Sequence, residues 1–279
     1  MHKVIYLGGL PRAGSTLLCN ILAQNPAFHA TATSGIIHMI AKVMELWPAV
    51  AEFQAAPRLE CESSKVRVLK GMLQSYFGSA PEGAICIDKS RGWPGMPHLA
   101  DLLVEDHGPA KFIVPVRDLR DVCASFEKLA RKAMRMGKAI SRDAHLRPFY
   151  LDHSPEGRLK GFTDGDGVIG RPFNNIKFAT QQGFRERMHF VEYEELTARP
   201  KEVISSLYRF LELPEYAHDF QNVKQVTQED DWVHIFPNLH DIRPVVAPQE
   251  PSWPTVYDKS VTETPLWADV TTQAHFWKK

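Results

Sequence analysis

Residues 9–16 read Gly9-Leu10-Pro11-Arg12-Ala13-Gly14-Ser15-Thr16, directly after the apolar run Val4-Ile5-Tyr6-Leu7 and ahead of the helix-period residues Leu17, Leu18, Ile21 and Leu22. This is the frame of a phosphate-binding loop, G-x-x-x-x-G-K-[ST], with Ser15 where the lysine belongs. In such a loop the amides and the helix N-terminus cradle one phosphate, while the lysine reaches the β and γ phosphates of a triphosphate. Taking the lysine away leaves an anion site that is not built for a γ-phosphate. Gly14 and the amides of Ser15 and Thr16 line that anion, and Arg12 adds a forked, charged donor suited to an oxyanion.

Working outward, further continuous apolar runs sit at about 84–88, 110–116 and 188–192, with a short one at 28–31. Unbroken rather than alternating runs are the mark of parallel strands covered on both faces. Helix-period segments lie between them at roughly 14–24, 35–46, 63–78, 96–106, 119–136, 174–186 and 200–212. The alternation predicts an α/β fold, a doubly wound parallel sheet with helices on both faces, in which ligands bind at the carboxyl ends of strands. Pro115 is awkward inside a central strand and reads as that strand's end. Residues 137–173 are polar, with Gly157, Gly161, Gly165, Gly167 and Gly170 among them, which predicts a flap or insert. Residues 223–279 are proline-rich yet hold Trp232, Trp253, Trp267 and Trp277, so an irregular segment packed on the core is expected.

At 279 residues the chain fits one domain spanning 1–279. Lys+Arg and Asp+Glu are 33 each, so the net charge is zero and nothing points to nucleic acid or a membrane surface; any anion site must be built locally. The cysteines, Cys19, Cys61, Cys86 and Cys123, lack C-x-x-C spacing and read as reduced core thiols. A strand beginning at residue 3 leaves no room for a signal peptide, and no apolar stretch approaches the ~20 residues of a membrane span. A cytoplasmic location is the expectation.

A second constellation follows the strand Phe112-Ile113-Val114. Arg117 lies just past its end, and Ser125 comes eight residues later in the next helix. Either the turn brings both to one phosphate, or Arg117 pairs with Asp121 and Ser125 is a small packing residue.

Gly9 to Leu18 together with Val116-Arg117-Asp118 and Ser125 resembles the sulfotransferases, which use 3′-phosphoadenosine-5′-phosphosulfate (PAPS) and release 3′-phosphoadenosine-5′-phosphate (PAP). The resemblance implies that the first loop, Arg12 to Thr16, holds the 5′-phosphosulfate, and that Arg117 and Ser125 hold the 3′-phosphate. Val191-Glu192-Tyr193-Glu194-Glu195-Leu196 with Arg199-Pro200 is similar to a strand-end segment of tyrosylprotein and related bacterial sulfotransferases, which implies Tyr193 near the adenine or the 3′-phosphate. Lys89 in Ile87-Asp88-Lys89-Ser90 resembles the family's catalytic lysine. The matching segments cover about 3–30 and 84–213.

PAPS carries no γ-phosphate and does carry a second phosphate, which accounts for both departures from a triphosphate loop. Sulfuryl transfer is an in-line displacement at sulfur, with charge developing on the bridging oxygen that leaves with the phosphate. Lys89 and Arg12 are the candidates to stabilise that charge, Lys89 also able to give the leaving oxygen a proton. No metal is required. The acceptor's base is missing from its expected places: Arg91 stands where cytosolic relatives have a histidine, and Ala30-Thr31-Ala32-Thr33-Ser34 lacks the glutamate of tyrosylprotein enzymes. His38 is the nearest candidate, with Glu45 and His98 behind it. Arg243, in the irregular tail, either caps a phosphate or is a solvated arginine. Arg131, Arg135 and Lys138 read as a solvated basic helix face.

Two other functions fit the same loop. A P-loop kinase acting on a small metabolite would need Mg²⁺ ligands, and a non-catalytic nucleotide-binding module would bind the bisphosphate without transfer. The acceptor's class and the oligomeric state carry no readable motif.

Overall fold

A computed structural model of the chain describes residues 2–104, 106–135, 154–234 and 238–278. Five strands, β1 (Lys3–Leu7), β2 (Phe28–Thr33), β3 (Ile85–Lys89), β4 (Phe112–Val116) and β5 (Met188–Glu192), form one sheet in the order β2-β3-β1-β4-β5. Every neighbouring pair is parallel. Between the strands run α1 (Ser15–Leu22), α2 (Ile36–Leu46), α3 (Ala51–Ala55), α4 (Arg58–Tyr76), α5 (Pro97–Val104) and α6 (Leu119–Arg135).

Residue alternation along the strands splits the core in two. Ile5, Leu7 and Ile113 point to the face covered by Leu18, Ile21 and Leu22 of α1 and by the helix Pro200–Leu211. Val4, Tyr6, Phe112 and Val114 point to the face covered by α2, α4, α5 and α6. Each such side chain taken fully out of water contributes about 1.5–3 kcal/mol. Thus α1 leaves β1 toward one face and α6 leaves β4 toward the other. The loops after these neighbouring strands bound the crevice where the sheet's winding reverses, the usual ligand position in this fold.

The interior strand β4 runs through Pro115 to Val116 rather than stopping at the proline. Its ladder to β1 ends at Leu7 and Ile113, and the Pro115 carbonyl then accepts the Leu10 amide at 2.8 Å. The nitrogen of Pro115 faces that same side, where no strand remains to receive a proton donor, so the ring costs no ladder bond.

Of the polar stretch expected to be a flap, 137–153 lie outside the described residues, and much of the rest is helical: Pro155–Thr163 and Gly170–Ala179. The glycines serve close packing here. A Cβ on Gly170 would sit 1.8 Å from the Asp164 carbonyl oxygen, so only glycine lets the second helix start against the end of the first. On the expected basic face of α6, Arg135 is exposed and Arg131 is partly exposed. Arg131 donates to Glu127 Oε1 at 2.6 Å, and the fully buried Glu127 also takes Arg158. Lys138 lies outside the described residues.

The C-terminal segment is irregular only in part. Residues 220–223 and 244–246 hydrogen-bond to each other, Val223 N to Pro244 O at 2.7 Å and Val246 N to Phe220 O at 2.9 Å. Three short helices follow, Trp253–Val256, Lys259–Thr262 and Pro265–Thr272. Trp267, Val270 and Trp277 join the α6 face of the core. Asp121 fixes the start of this run by accepting the amides of Ser252 and Trp253 at 2.7 and 3.1 Å. All four cysteines are free. Among the described residues no helix is long and apolar enough to cross a membrane.

Candidate active site

The loop after β1 turns at Gly14, whose φ of 78° is left-handed and which directly precedes α1. A Cβ at this position would also meet the Tyr193 ring at 2.7 Å. Glycine is therefore required twice, for the turn and for the aromatic lid lying over it. The open amides at the start of α1 and the helix dipole face a cleft of about 540 Å³, lined among others by Arg12, Ser15, Thr16, Lys89, Arg117, Ser125, Tyr193, His240 and Arg243.

Arg12 and Arg117 wall this cleft side by side. Arg117 Nη1 donates to the Arg12 carbonyl at 3.4 Å, its guanidinium lies 4.5 Å from the centre of the Tyr193 ring, and Asp121 Oδ2 is 3.6 Å from Nη2. Its Nε makes no hydrogen bond among the described residues, and the Glu194 carboxylate lies 3.9 Å from it. Burial first, then the charge of Arg117, lowers the Arg12 guanidinium below its ordinary value. Two neighbouring cations and a glycine cradle fit an anionic ligand.

Ser125 is linked to Arg117 only through Arg12, which both residues bond. Its Oγ accepts from Arg12 Nε at 3.0 Å, while Arg12 Nη1 donates to the Leu239 carbonyl. Both alternatives left by the sequence are thus partly realised: Arg117 pairs with Asp121, and Ser125 still faces the cleft, held by the arginine of the first loop. Arg243 lines the cleft and donates to Gln249.

Lys89 ends β3 and is buried. Its Nζ donates to Glu229 Oε1 at 2.7 Å and lies 3.4 Å from Thr16 Oγ1 at the start of α1, so it is no surface lysine. Glu229 also accepts the amide and hydroxyl of Thr33, at 3.1 and 3.0 Å. Burial alone would raise the Glu229 carboxyl, but the charge and hydrogen bond of Lys89 hold it below its usual range.

The structure does not bring the base candidates here. His38 is exposed on α2, because Ile36, Ile37 and Ile40 turn that helix's other side to the core. Glu45 pairs with Lys42, and His98 with Gln182, both on the exterior. What stands beside Lys89 instead is Glu229, with His240 next to Glu229 and Asp231 next to His240, none of which the sequence singled out. Their only local signal is a polar one. Buried Asn20, on the otherwise apolar α1, accepts the amides of Val226 and Thr227 and donates to the Thr227 hydroxyl at 3.0 Å, pinning the tail so that Glu229 reaches the end of β2.

A family model described as the sulfotransferase family matches residues 5–218. No curated protein matches the sequence. Among solved structures, the sulfotransferase domain of the Synechococcus PCC 7002 olefin synthase is 18% identical with a TM-score of 0.52, covering 100% of this chain and 95% of that one. A mouse sulfotransferase complexed with PAP is 14% identical with a TM-score of 0.54, covering 99% and 87%. The sulfotransferase STF9 of Mycobacterium avium is 14% identical with a TM-score of 0.52, covering 98% and 76%. At these identities the likeness is one of fold.

Proposed function

The chain belongs to the sulfotransferase family, and from that premise we propose how its residues carry PAPS-dependent sulfuryl transfer to an acceptor hydroxyl or amine. The observation that carries the reading is the contact between the loop after β1 and the arginine after β4, Arg117 Nη1 to the Arg12 carbonyl at 3.4 Å, which puts two cations in one cleft beside a lysine-free phosphate loop.

In this reading the amides of Gly14, Ser15 and Thr16 with Arg12 hold the 5′-phosphosulfate. Arg117, Ser125 and Tyr193 serve the nucleoside and its 3′-phosphate, with Arg243 closing the cleft. Lys89, poised beside the Thr16 hydroxyl, stabilises the charge that develops on the leaving oxygen. An ammonium has three N–H donors, so it keeps Glu229 while turning another toward that oxygen. Losing one such preorganised donor typically costs about 10²–10³ in rate.

A melting experiment tests this. PAP at about 100 times its Kd should stabilise the protein by about 2.7 kcal/mol, which for a domain of this size is a rise of several degrees. EDTA should leave the shift unchanged. A larger shift with Mg-ATP than with PAP would favour a kinase instead, and no shift with PAP would remove the reading.

A further inference from the structure

Sulfuryl transfer to a neutral hydroxyl or amine needs a group that takes the acceptor's proton, and the end of β2 and the turn after β3 offer none: Ala30 to Ser34 carry no carboxylate and Arg91 is no base at neutral pH. The C-terminal segment supplies what these lack. His240 lines the same cleft as Lys89 and Thr16. Its Nδ1 lies against Asp231 Oδ1, and its backbone N–H donates to Asp231 Oδ2 at 3.0 Å, so one carboxylate fixes both the ring and its main chain. Glu229 Oε2 is 3.6 Å from the same Nδ1, and Glu229 Oε1 holds Lys89. The carbonyl of the preceding residue, Leu239, accepts from Arg12 of the phosphate loop. Donor loop, lysine and imidazole are thereby one connected unit.

Resting on the sulfotransferase reading above, we propose that His240 is the general base of this enzyme and that Asp231 is its positioning residue. A carboxylate can only accept, so Nδ1 carries the proton and Nε2 carries the ring's basic lone pair. The acceptor's O–H or N–H bond breaks with its proton going to Nε2. The freed electron pair forms the new bond to sulfur. The bond from sulfur to the bridging oxygen breaks with its electron pair staying on that oxygen, which leaves in PAP next to Lys89. Charge and atoms balance without a co-reactant.

Two features favour His240 over Glu229 for this role. Glu229 Oε1 already accepts from Lys89 Nζ and from the Thr33 amide and hydroxyl, and its carboxyl is held below the ordinary range, which makes it a weak base. His240 is kept neutral near pH 7: burial lowers its pKa most, and Lys89 adds to this, against the opposing pull of Asp231 and Glu229. Among the described residues, those three groups, with Arg12 one residue away at Leu239, are the charges near the ring.

The test uses the full chain, labelled PAPS, and water together with a panel of aliphatic alcohols and phenols as acceptors, with PAP affinity measured by calorimetry on every variant. His240→Asn keeps a donor for Asp231 and removes the base. It should lower kcat about 10²–10⁴-fold, abolish the acid limb of the kcat–pH profile and leave PAP affinity within about threefold. The loss should be smallest for 4-nitrophenol, which is largely ionised at pH 8 and needs little help, and added imidazole should restore part of the activity of His240→Gly. Asp231→Asn should lower kcat with KM little changed and move the acid limb to lower pH. Glu229→Gln should retain that limb. The proposal fails if His240→Asn keeps wild-type kcat, if it loses PAP affinity in step with activity, or if Glu229→Gln is the variant that erases the limb. Wild-type protein that binds PAP yet transfers to neither water nor any acceptor has no working base and also overturns it. Wild-type protein that does not bind PAP defeats the sulfotransferase reading itself.

Discussion

The Lys89–Glu229 pair offers the sharpest quantitative test of the site. The two side chains are 5% and 10% exposed and 2.7 Å apart. Replacing Lys89 with Met keeps the apolar stem and removes the ammonium. Glu229 would then remain with the Thr33 amide and hydroxyl at 3.1 and 3.0 Å and His240 Nδ1 at 3.6 Å as its nearby polar groups. Removing one partner of a buried pair costs about 3–5 kcal/mol. The surviving Thr33 bonds place this case near the lower figure, about 3 kcal/mol. Removing both charges, in Lys89→Met with Glu229→Gln, should return stability to within about 1 kcal/mol of wild type, because no uncompensated carboxylate is left. The coupling energy is then about 2 kcal/mol or more. Urea denaturation at pH 7.5 on the four proteins of the cycle measures it, with equal m-values as the check that the denatured states are comparable. The sign of the pH effect follows from the lowered Glu229 value. A depressed carboxyl adds stability that is present above its unfolded pKa and lost as pH falls through the folded one. The wild type should therefore weaken in acid, and Lys89→Met should lose most of that dependence. A cost for Lys89→Met below about 1 kcal/mol, or a double variant as unstable as the sum of the singles, would refute the argument.

Other outcomes follow from neighbouring features. Arg117→Ala should weaken PAP more than adenosine-5′-phosphosulfate, since Arg117 lines the cleft and is assigned to the 3′ side; equal weakening in parallel calorimetric titrations would refute the assignment. Asp88 is fully buried one residue before Lys89, and burial pushes its carboxyl from 3.8 up to about 6, against the pull of Ser34 and Trp93 nearby. The folded state thus keeps a proton that the unfolded chain gives up earlier, so stability is lost as pH rises between these values. The effect amounts to about 3 kcal/mol at most, at ~1.4 kcal/mol per unit. Asp88→Asn should be more stable than wild type at pH 8 and should level with it near pH 4; identical pH dependence in urea midpoints would count against the buried-proton account.

The parts of this protein that its sequence determines are those whose physics is local. Apolar runs mark β1, β3 and β4, because an interior strand covered on both faces is largely apolar, and the mixed Met188–Glu192 run marks the edge strand β5. The loop at 9–16 was legible because a glycine turn, amides and a helix start are contiguous, and the absent lysine was itself informative. Lys89 and Arg117 could be placed because each directly follows or ends such a run. What the sequence could not supply are contacts between distant segments. Ser125 joins Arg12, 113 residues away, instead of Arg117, eight residues away, since the helix start carries it toward the phosphate loop. The helices Pro155–Thr163 and Gly170–Ala179 hid behind glycines that serve packing rather than flexibility. Most of all, Glu229 lies 140 residues from Lys89 in a segment with no periodicity to read. Only the fold, by tying that segment to Asn20 and Thr33, brings its carboxylates and imidazole to the end of β3. A loop motif is decided by neighbours along the chain, whereas an acid–base group is decided by whichever residue the packed sheet and its tail deliver to the cleft.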